Sequence, residues 1–207
     1  ATTEIYTLSL HDALPIFIPC AIGTDVNEGP YESARTHVNN LGLSQVIDIR
    51  LGDGLAVIRE NEVEQVTIAG MGGALITSIL EDGKAKLAGV ERLILQPNVA
   101  TDKVRRWLYA NDWTICDECI LEEDQIIYEI IVANRGKDDR HFVEIDFLFG
   151  PYLNKEKSVA FQKKWKAELK KQENILLNLN KADRSEEVDA LRQTIERKIK
   201  YIKEALT

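Results

Sequence analysis

Apolar positions follow two regimes along the 207 residues. In the first, short apolar runs alternate with stretches of helical spacing. Ala21-Ile22-Gly23-Thr24-Asp25-Val26 reads as a buried strand ending near an acidic residue. Asn27-Glu28-Gly29-Pro30 is a turn, with Pro30 placed to open a helix. That helix carries Tyr31, Ala34, Val38 and Leu41 on one face, and Gly42 is placed to cap it. Val46 to Arg50 alternates as a strand and stops at Gly52-Asp53-Gly54; Leu55 to Arg59 predicts a short helix. Val63 to Ala69 is an apolar strand that runs into the turn Gly70-Met71-Gly72-Gly73, and a helical pattern follows from Ala74 to Leu80. Arg92-Leu93-Ile94-Leu95 repeats the plan and ends in Gln96-Pro97-Asn98. Thr101 to Ala110 reads as a helix with Thr101 a candidate N-cap. Trp113 to Ile120 and Gln125 to Ala133 read as strands joined by Leu121-Glu122-Glu123-Asp124. Strand–helix alternation predicts a mainly parallel sheet covered on both faces, closed here by an antiparallel hairpin.

The second regime begins after a polar break at Asn134 to Arg140 and the pair Gly150-Pro151. Phe161, Trp165, Leu169, Gln172, Leu176 and Leu179 form one helical stripe; Val188, Leu191, Ile195, Ile199, Ile202 and Leu206 form another. The polar link Lys181 to Glu187 is short, so the two helices are expected to fold back as an antiparallel coiled-coil hairpin.

Charge sharpens this division. The net charge is −8, yet Pro151 to Thr207 holds 14 Lys and Arg against 9 Asp and Glu. A mildly basic tail on an acidic body suits a polyanionic partner, and it equally suits a solvated helix face. A hydrophobic fraction of 44% excludes a disordered chain, and no apolar run is long enough to span a bilayer. Three cysteines, Cys20, Cys116 and Cys119, make no disulfide framework and fit a reducing cytosol.

The beginning of the chain reads differently. The single methionine is Met71, and Tyr6 to Ile16 matches the in-frame translation of a sequencing adaptor. Residues 1–16 are therefore expected to lie outside the natural sequence, and His11-Asp12 is set aside as a catalytic pair.

Three strand ends carry candidate chemistry. Asp25 precedes a helix, where a carboxylate can accept from two ribose hydroxyls; an ordinary capping or solvated aspartate is the plain alternative. Asp53 lies between two glycines, where it can accept from an adenine amino group or serve a simple turn. Gly70-Met71-Gly72-Gly73 lacks the Gly-Lys-Ser/Thr ending of a triphosphate loop and the G-x-G-x-x-G spacing of a dinucleotide site. It reads instead as the place where a substrate base meets a methyl donor. Gln96 and Asn98 offer amide groups beside it, either to hold a base edge or to cap the next helix. Cys116 and Cys119 have metal-like spacing without a second pair, so no metal site is expected. Trp107, Trp113 and Trp165 read as core residues rather than stacking platforms.

Taken in order, Val26-Asn27-Glu28-Gly29-Pro30, Gly52-Asp53-Gly54-Leu55, Thr67 to Met71 with Gly73, Leu93 to Asn98, Leu121 to Asp124 and Tyr128-Glu129 resemble the TrmK family. These are bacterial S-adenosylmethionine-dependent tRNA (adenine-N1) methyltransferases acting on adenine 22, and the resemblance runs from about Ile18 to Leu206. It implies a class I, Rossmann-like methyltransferase sheet of α/β class with the C-terminal helical hairpin. It implies that Asp25 and Val26 flank the cofactor ribose, that Asp53 and Gly54 meet its adenine, and that Ala69, Gly70 and Met71 line the methyl-transfer end. Gly70, Met71, Gln96 and Asn98 are then the expected catalytic group. The family's first cofactor loop, an Asp-Ile-Gly-x-Asp-His-x-x-Leu-Pro motif, has no counterpart here beyond Leu14-Pro15. The expected organisation is a truncated methyltransferase domain at 17–136 and a linker with a tRNA-binding coiled coil at 137–207, the chain as it stands binding cofactor weakly and its own activity left open. The competing readings are a non-enzymatic adaptor on a degenerate nucleotide fold and a nicotinamide-dependent oxidoreductase.

Overall fold

The computed structural model describes residues 3–6, 20–181 and 185–207. It divides into two compact units. One spans Ala1–Cys119 and Tyr128–His141; the other spans Ile120–Ile127 and Phe142–Thr207. The division falls later than the break expected near residue 136, and the tip of the strand hairpin goes with the second unit. The reason is packing, because Ile120 is buried with Phe149, Phe161 and Trp165.

In the first unit, β1 (Thr3–Tyr6), β2 (Cys20–Asp25) and β3 (Ile47–Leu51) pair in parallel, with β2 in the middle. A second ladder pairs β4 (Gln65–Gly72) in parallel with β5 (Arg92–Val99), and β5 antiparallel with β7 (Ile126–Arg135), which neighbours β6 (Trp113–Glu123). β1 also lies alongside β4, so the strands run β3-β2-β1-β4-β5-β7-β6. Residues 3–6 thus fill the first-strand place that a truncated sheet would leave open. Ladder bonds are made by the main chain, so an open strand edge accepts an extended segment whatever its side chains. Residues 7–19, with His11, Asp12, Leu14 and Pro15, lie outside the described residues.

Three helices cover the sheet: α1 (Glu28–Asn40), α2 (Gly73–Asp82) and α3 (Thr101–Ala110). Val66, Leu93, Leu95, Ile131 and Ala133 are fully buried on the strands, with Ile76, Leu80, Val104 and Leu108 buried on the helices. Gly42 follows α1 at φ +69, the left-handed cap that glycine adopts without a Cβ clash. α3 is pinned by charge as well. Arg105 is fully buried, and its Nε donates to Glu118 on β6 at 2.7 Å while Glu129 on β7 lies 3.7 Å from the guanidinium.

Several boundaries differ from the reading of the sequence. β4 and β5 run on through Gly70-Met71-Gly72 and Gln96-Pro97-Asn98, because side-chain hydrogen bonds take over where the main-chain ladder becomes irregular. Leu121-Glu122-Glu123 is strand, and the hairpin turns on Asp124-Gln125 alone, both with positive φ as a two-residue hairpin requires. Thr101 is the first residue of α3 rather than its cap; Ala100 holds the cap position in the left-handed region, and Thr101 is buried. The helix expected from Leu55 to Arg59 is one short 3-10 turn, Gly54–Val57.

The second unit holds α4 (Glu144–Phe149), α5 (Leu153–Glu156), α6 (Val159–Leu179) and α7 (Glu186–Leu206). Ser158 and Ser185 cap the two long helices by accepting from Phe161 N and Val188 N. Phe161 and Trp165 near the start of α6 are buried with Ile202 and Ala205 near the end of α7, so the helices are antiparallel. Glu168 to Lys198 at 2.6 Å and Glu173 to Lys203 at 2.9 Å bridge them. Burial works against the Glu168 carboxylate, but hydrogen bonds from Lys198 and Gln172 outweigh it and hold its pKa below the ordinary value. Leu191, expected on the buried stripe, is exposed. In the link, residues 182–184 lie outside the described residues.

Candidate active site

β2 and β3 end side by side. Asp25 pairs with Leu51 in register, and its carbonyl accepts from Gly52 N at 2.8 Å. The Asp25 side chain bends back to accept from Asn27 N at 2.8 Å, which occupies Oδ1 and sets the entrance to α1. A carboxylate has further lone pairs, so this bond leaves it able to accept from a ligand. Val26, next along, is 63% exposed. Asp53 caps the Gly54–Val57 turn through its backbone conformation, not through a side-chain bond. Gly54 has φ +48, and a Cβ there would approach Ile79 of α2 to 2.9 Å. The end of β3 is thereby held against the helix that leaves the Gly70 turn.

Sequence reasoning missed what fixes this loop. Arg50, on β3, donates in parallel to both oxygens of Glu62 at 2.8 Å, and also to Val57 O at 2.9 Å and to Asp48. This bidentate fork bolts the segment from Leu51 to Glu62, Asp53 included, onto the strand. Hydrogen bonds from Arg50 hold the Glu62 pKa down to about 2, helped by the backbone N–H of Arg59. Two charged residues 12 apart in a loop form no periodic pattern, so only the folded chain brings them together.

The second group sits at the ends of β4 and β5. Gly70 is skipped by the ladder, which pairs Ala69 with Gln96 and Met71 with Pro97. Pro97 has no N–H to give. Side chains take over: Gly70 N donates to Gln96 Oε1 at 2.8 Å, and Asn98 Nδ2 donates to Gly70 O at 2.9 Å. Gln96 Nε2 donates to Asn98 Oδ1 at 3.1 Å and closes the ring. Of the two alternatives for Asn98, helix capping is therefore not the one observed. Gly70 has φ +76 with open space where a Cβ would point, so it is the backbone angle that favours glycine here. Gly73 is glycine for the opposite reason, since a Cβ would run into the carbonyl oxygen of Ala100.

By the strand order, β1 alone stands between β2 and β4. Among the described residues no group of His, Cys, Asp and Glu could hold a metal, and Cys20, Cys116 and Cys119 form no disulfide. No helix of the described residues is long and apolar enough to cross a membrane.

Comparison with known proteins decides the family. The TrmK profile, described as tRNA (adenine(22)-N(1))-methyltransferase, matches residues 14–204. The chain belongs to the TrmK family. It is similar to the tRNA (adenine(22)-N(1))-methyltransferase of Bacillus subtilis, with 42% identity over 190 residues, covering 90% of this chain and 80% of the relative. The crystal structure of the B. subtilis TrmK superposes with TM-score 0.87 at 41% identity, over 91% of this chain and 82% of that one. A Streptococcus pneumoniae TrmK-type protein solved in complex with S-adenosyl-L-methionine superposes with TM-score 0.86 at 42% identity, over 100% of this chain and 92% of that one. The TrmK match begins at residue 14, two residues before the end of the adaptor-like stretch. Trp113 and Trp165 are buried, as core tryptophans should be, and Trp107 donates its indole N–H to Glu81 at 2.8 Å.

Proposed function

We propose that this TrmK family chain transfers a methyl group from S-adenosylmethionine to N1 of adenine 22 in tRNA. The observation that carries the reading is a Rossmann-like sheet whose strand ends offer Asp25, Asp53 and a left-handed Gly70, joined to membership of a family defined by that reaction. Asp25 would accept from the cofactor ribose, with Val26 against it; Asp53 and Gly54 would meet the cofactor adenine. Ala69, Gly70 and Met71 would line the transfer end, with Gln96 and Asn98 beside them. The bound cofactor supplies a methyl group already activated as a sulfonium. The acceptors fit it: one carboxylate for a diol, a second for an amino group, with open space at Gly70.

Adenine N1 presents an in-plane lone pair and loses no proton before attack. What the protein must provide is alignment. N1 lies on the Watson–Crick edge, so the target base has to be unpaired or turned out of its stack. The segment from Pro151 to Thr207, with its excess of Lys and Arg, supports phosphate contacts and a salt-sensitive hold on tRNA. Residues 137–207 would form this tRNA-binding part and 17–136 the methyltransferase part, with 1–16 foreign to the natural sequence. The reaction would take place in the cytoplasm, where cysteines outside disulfides stay reduced.

The test is incubation with unmodified tRNA and labelled cofactor, followed by mapping of the modified base. Methylation at N1 of adenine 22, lost when that position is guanine, is the expected result. Binding of tRNA without methyl transfer would favour the adaptor reading.

A further inference from the structure

Nothing in the proposed reaction requires the Gln96–Asn98–Gly70 ring, and its geometry says more than that two amides lie near the site. The ring has a single polarity. Gly70 N–H can only donate, so Gln96 must turn its oxygen toward it. The Gln96 NH2 then faces Asn98, which must answer with its own oxygen, and this leaves the Asn98 NH2 for the Gly70 carbonyl. Flipping either amide breaks two of the three bonds. The ring therefore grips both peptide groups of Gly70, one on each side of its Cα, at a point where the ladder has skipped the residue. Two peptide planes and φ +76 between them are fixed together.

We infer that Gln96 and Asn98 are positioning residues that act on methyl transfer through Gly70, holding the backbone of the transfer end in one conformation, rather than independent contacts to the substrate base. This rests on the proposed reaction. The consequence is thermodynamic coupling. Once either amide is lost, the ring is open and the second amide has little left to contribute. Independent base contacts would instead lose activity multiplicatively. Because the ring is formed at the ends of β4 and β5, away from Asp25 and Asp53, the affinity for cofactor should change little when it opens.

The experiment is a double-variant cycle in the full chain. Gln96→Met removes the acceptor for Gly70 N–H and the donor to Asn98, and Asn98→Ala removes the acceptor for Gln96 and the donor to Gly70 O, with no charge added in either. For each variant and the pair, kcat and KM for unmodified tRNA are measured, with S-adenosylmethionine affinity by calorimetry and thermal midpoint by scanning. A displaced transfer end predicts that each single variant lowers kcat by about 10- to 100-fold. It predicts that the double variant is no slower than the worse single one, with cofactor affinity within about twofold throughout. Multiplicative loss in the double variant overturns the inference and makes the amides separate base contacts. A fall in cofactor affinity as large as the fall in kcat overturns it too, and assigns the ring to cofactor binding. If the unsubstituted chain binds cofactor and tRNA but leaves adenine 22 unmodified, the proposed reaction itself fails and the inference falls with it.

Discussion

The turn after β3 and the turn at the end of β4 do the same job with different chemistry. Both are held in shape by hydrogen bonds between residues distant in sequence. The Asp53 turn is bolted by charge, through the two parallel bonds from Arg50 to Glu62. The Gly70 turn is held by neutral amides, Gln96 and Asn98. A charged fork is strong and can be far from the ligand, but it carries a titratable group and a field. An amide ring is weaker bond for bond, yet it adds no net charge beside a cationic methyl donor. The difference suits the proposed roles. The recognition end tolerates a buttress of ion pairs, whereas the transfer end is built without one.

Substitutions can break that comparison at graded cost. The largest effect is expected at Gly73, where an added methyl meets the Ala100 carbonyl and neither backbone can yield. Gly73→Ala should lower unfolding free energy by about 3 kcal/mol, read by urea titration, through overpacking. Glu62→Ala comes next. It removes the partner of a half-buried guanidinium and should cost about 2 kcal/mol, with weaker cofactor binding. Gly70→Ala meets no neighbour and suffers only the left-handed backbone angle, so about 1 kcal/mol is expected, with a larger relative loss in kcat than in cofactor affinity.

The sharpest separation of the two locks comes from pH. The hydrogen bonds of Arg50 lower the Glu62 pKa from its ordinary 4.5 to about 2 in the folded chain. The contribution of this carboxylate is therefore complete above pH 4.5 and is lost as pH falls from there through about 2. The stability gap between the unsubstituted chain and Glu62→Gln should shrink across that window. The gap to a variant of the neutral ring, such as Gln96→Leu, should not.

Much of the scaffold was legible because its signals are local. The run from Val63 to Ala69 is apolar enough to be a buried strand, and the glycines after it mark a turn whose φ only glycine adopts easily. The stripes through Phe161 and Trp165 and through Ile195, Ile199 and Ile202 have the spacing of buried helix faces. What escaped is non-local or short. Gln96 stands 26 residues from Gly70, and Arg50 stands 12 from Glu62, so neither partnership leaves a periodic trace. α4 and α5 have 6 and 4 residues, too few for an apolar period to repeat. Ala100 takes a left-handed angle that its residue type does not announce, which is why Thr101 looked like the cap.

The most direct test of the whole account is the structure of this chain with S-adenosylhomocysteine bound. Ribose hydroxyls within hydrogen-bonding reach of the Asp25 carboxylate, the adenine beside Asp53 and the sulfur next to Gly70 would be the predicted arrangement. A ligand seated elsewhere, or one that touches only one of those three strand ends, would contradict it.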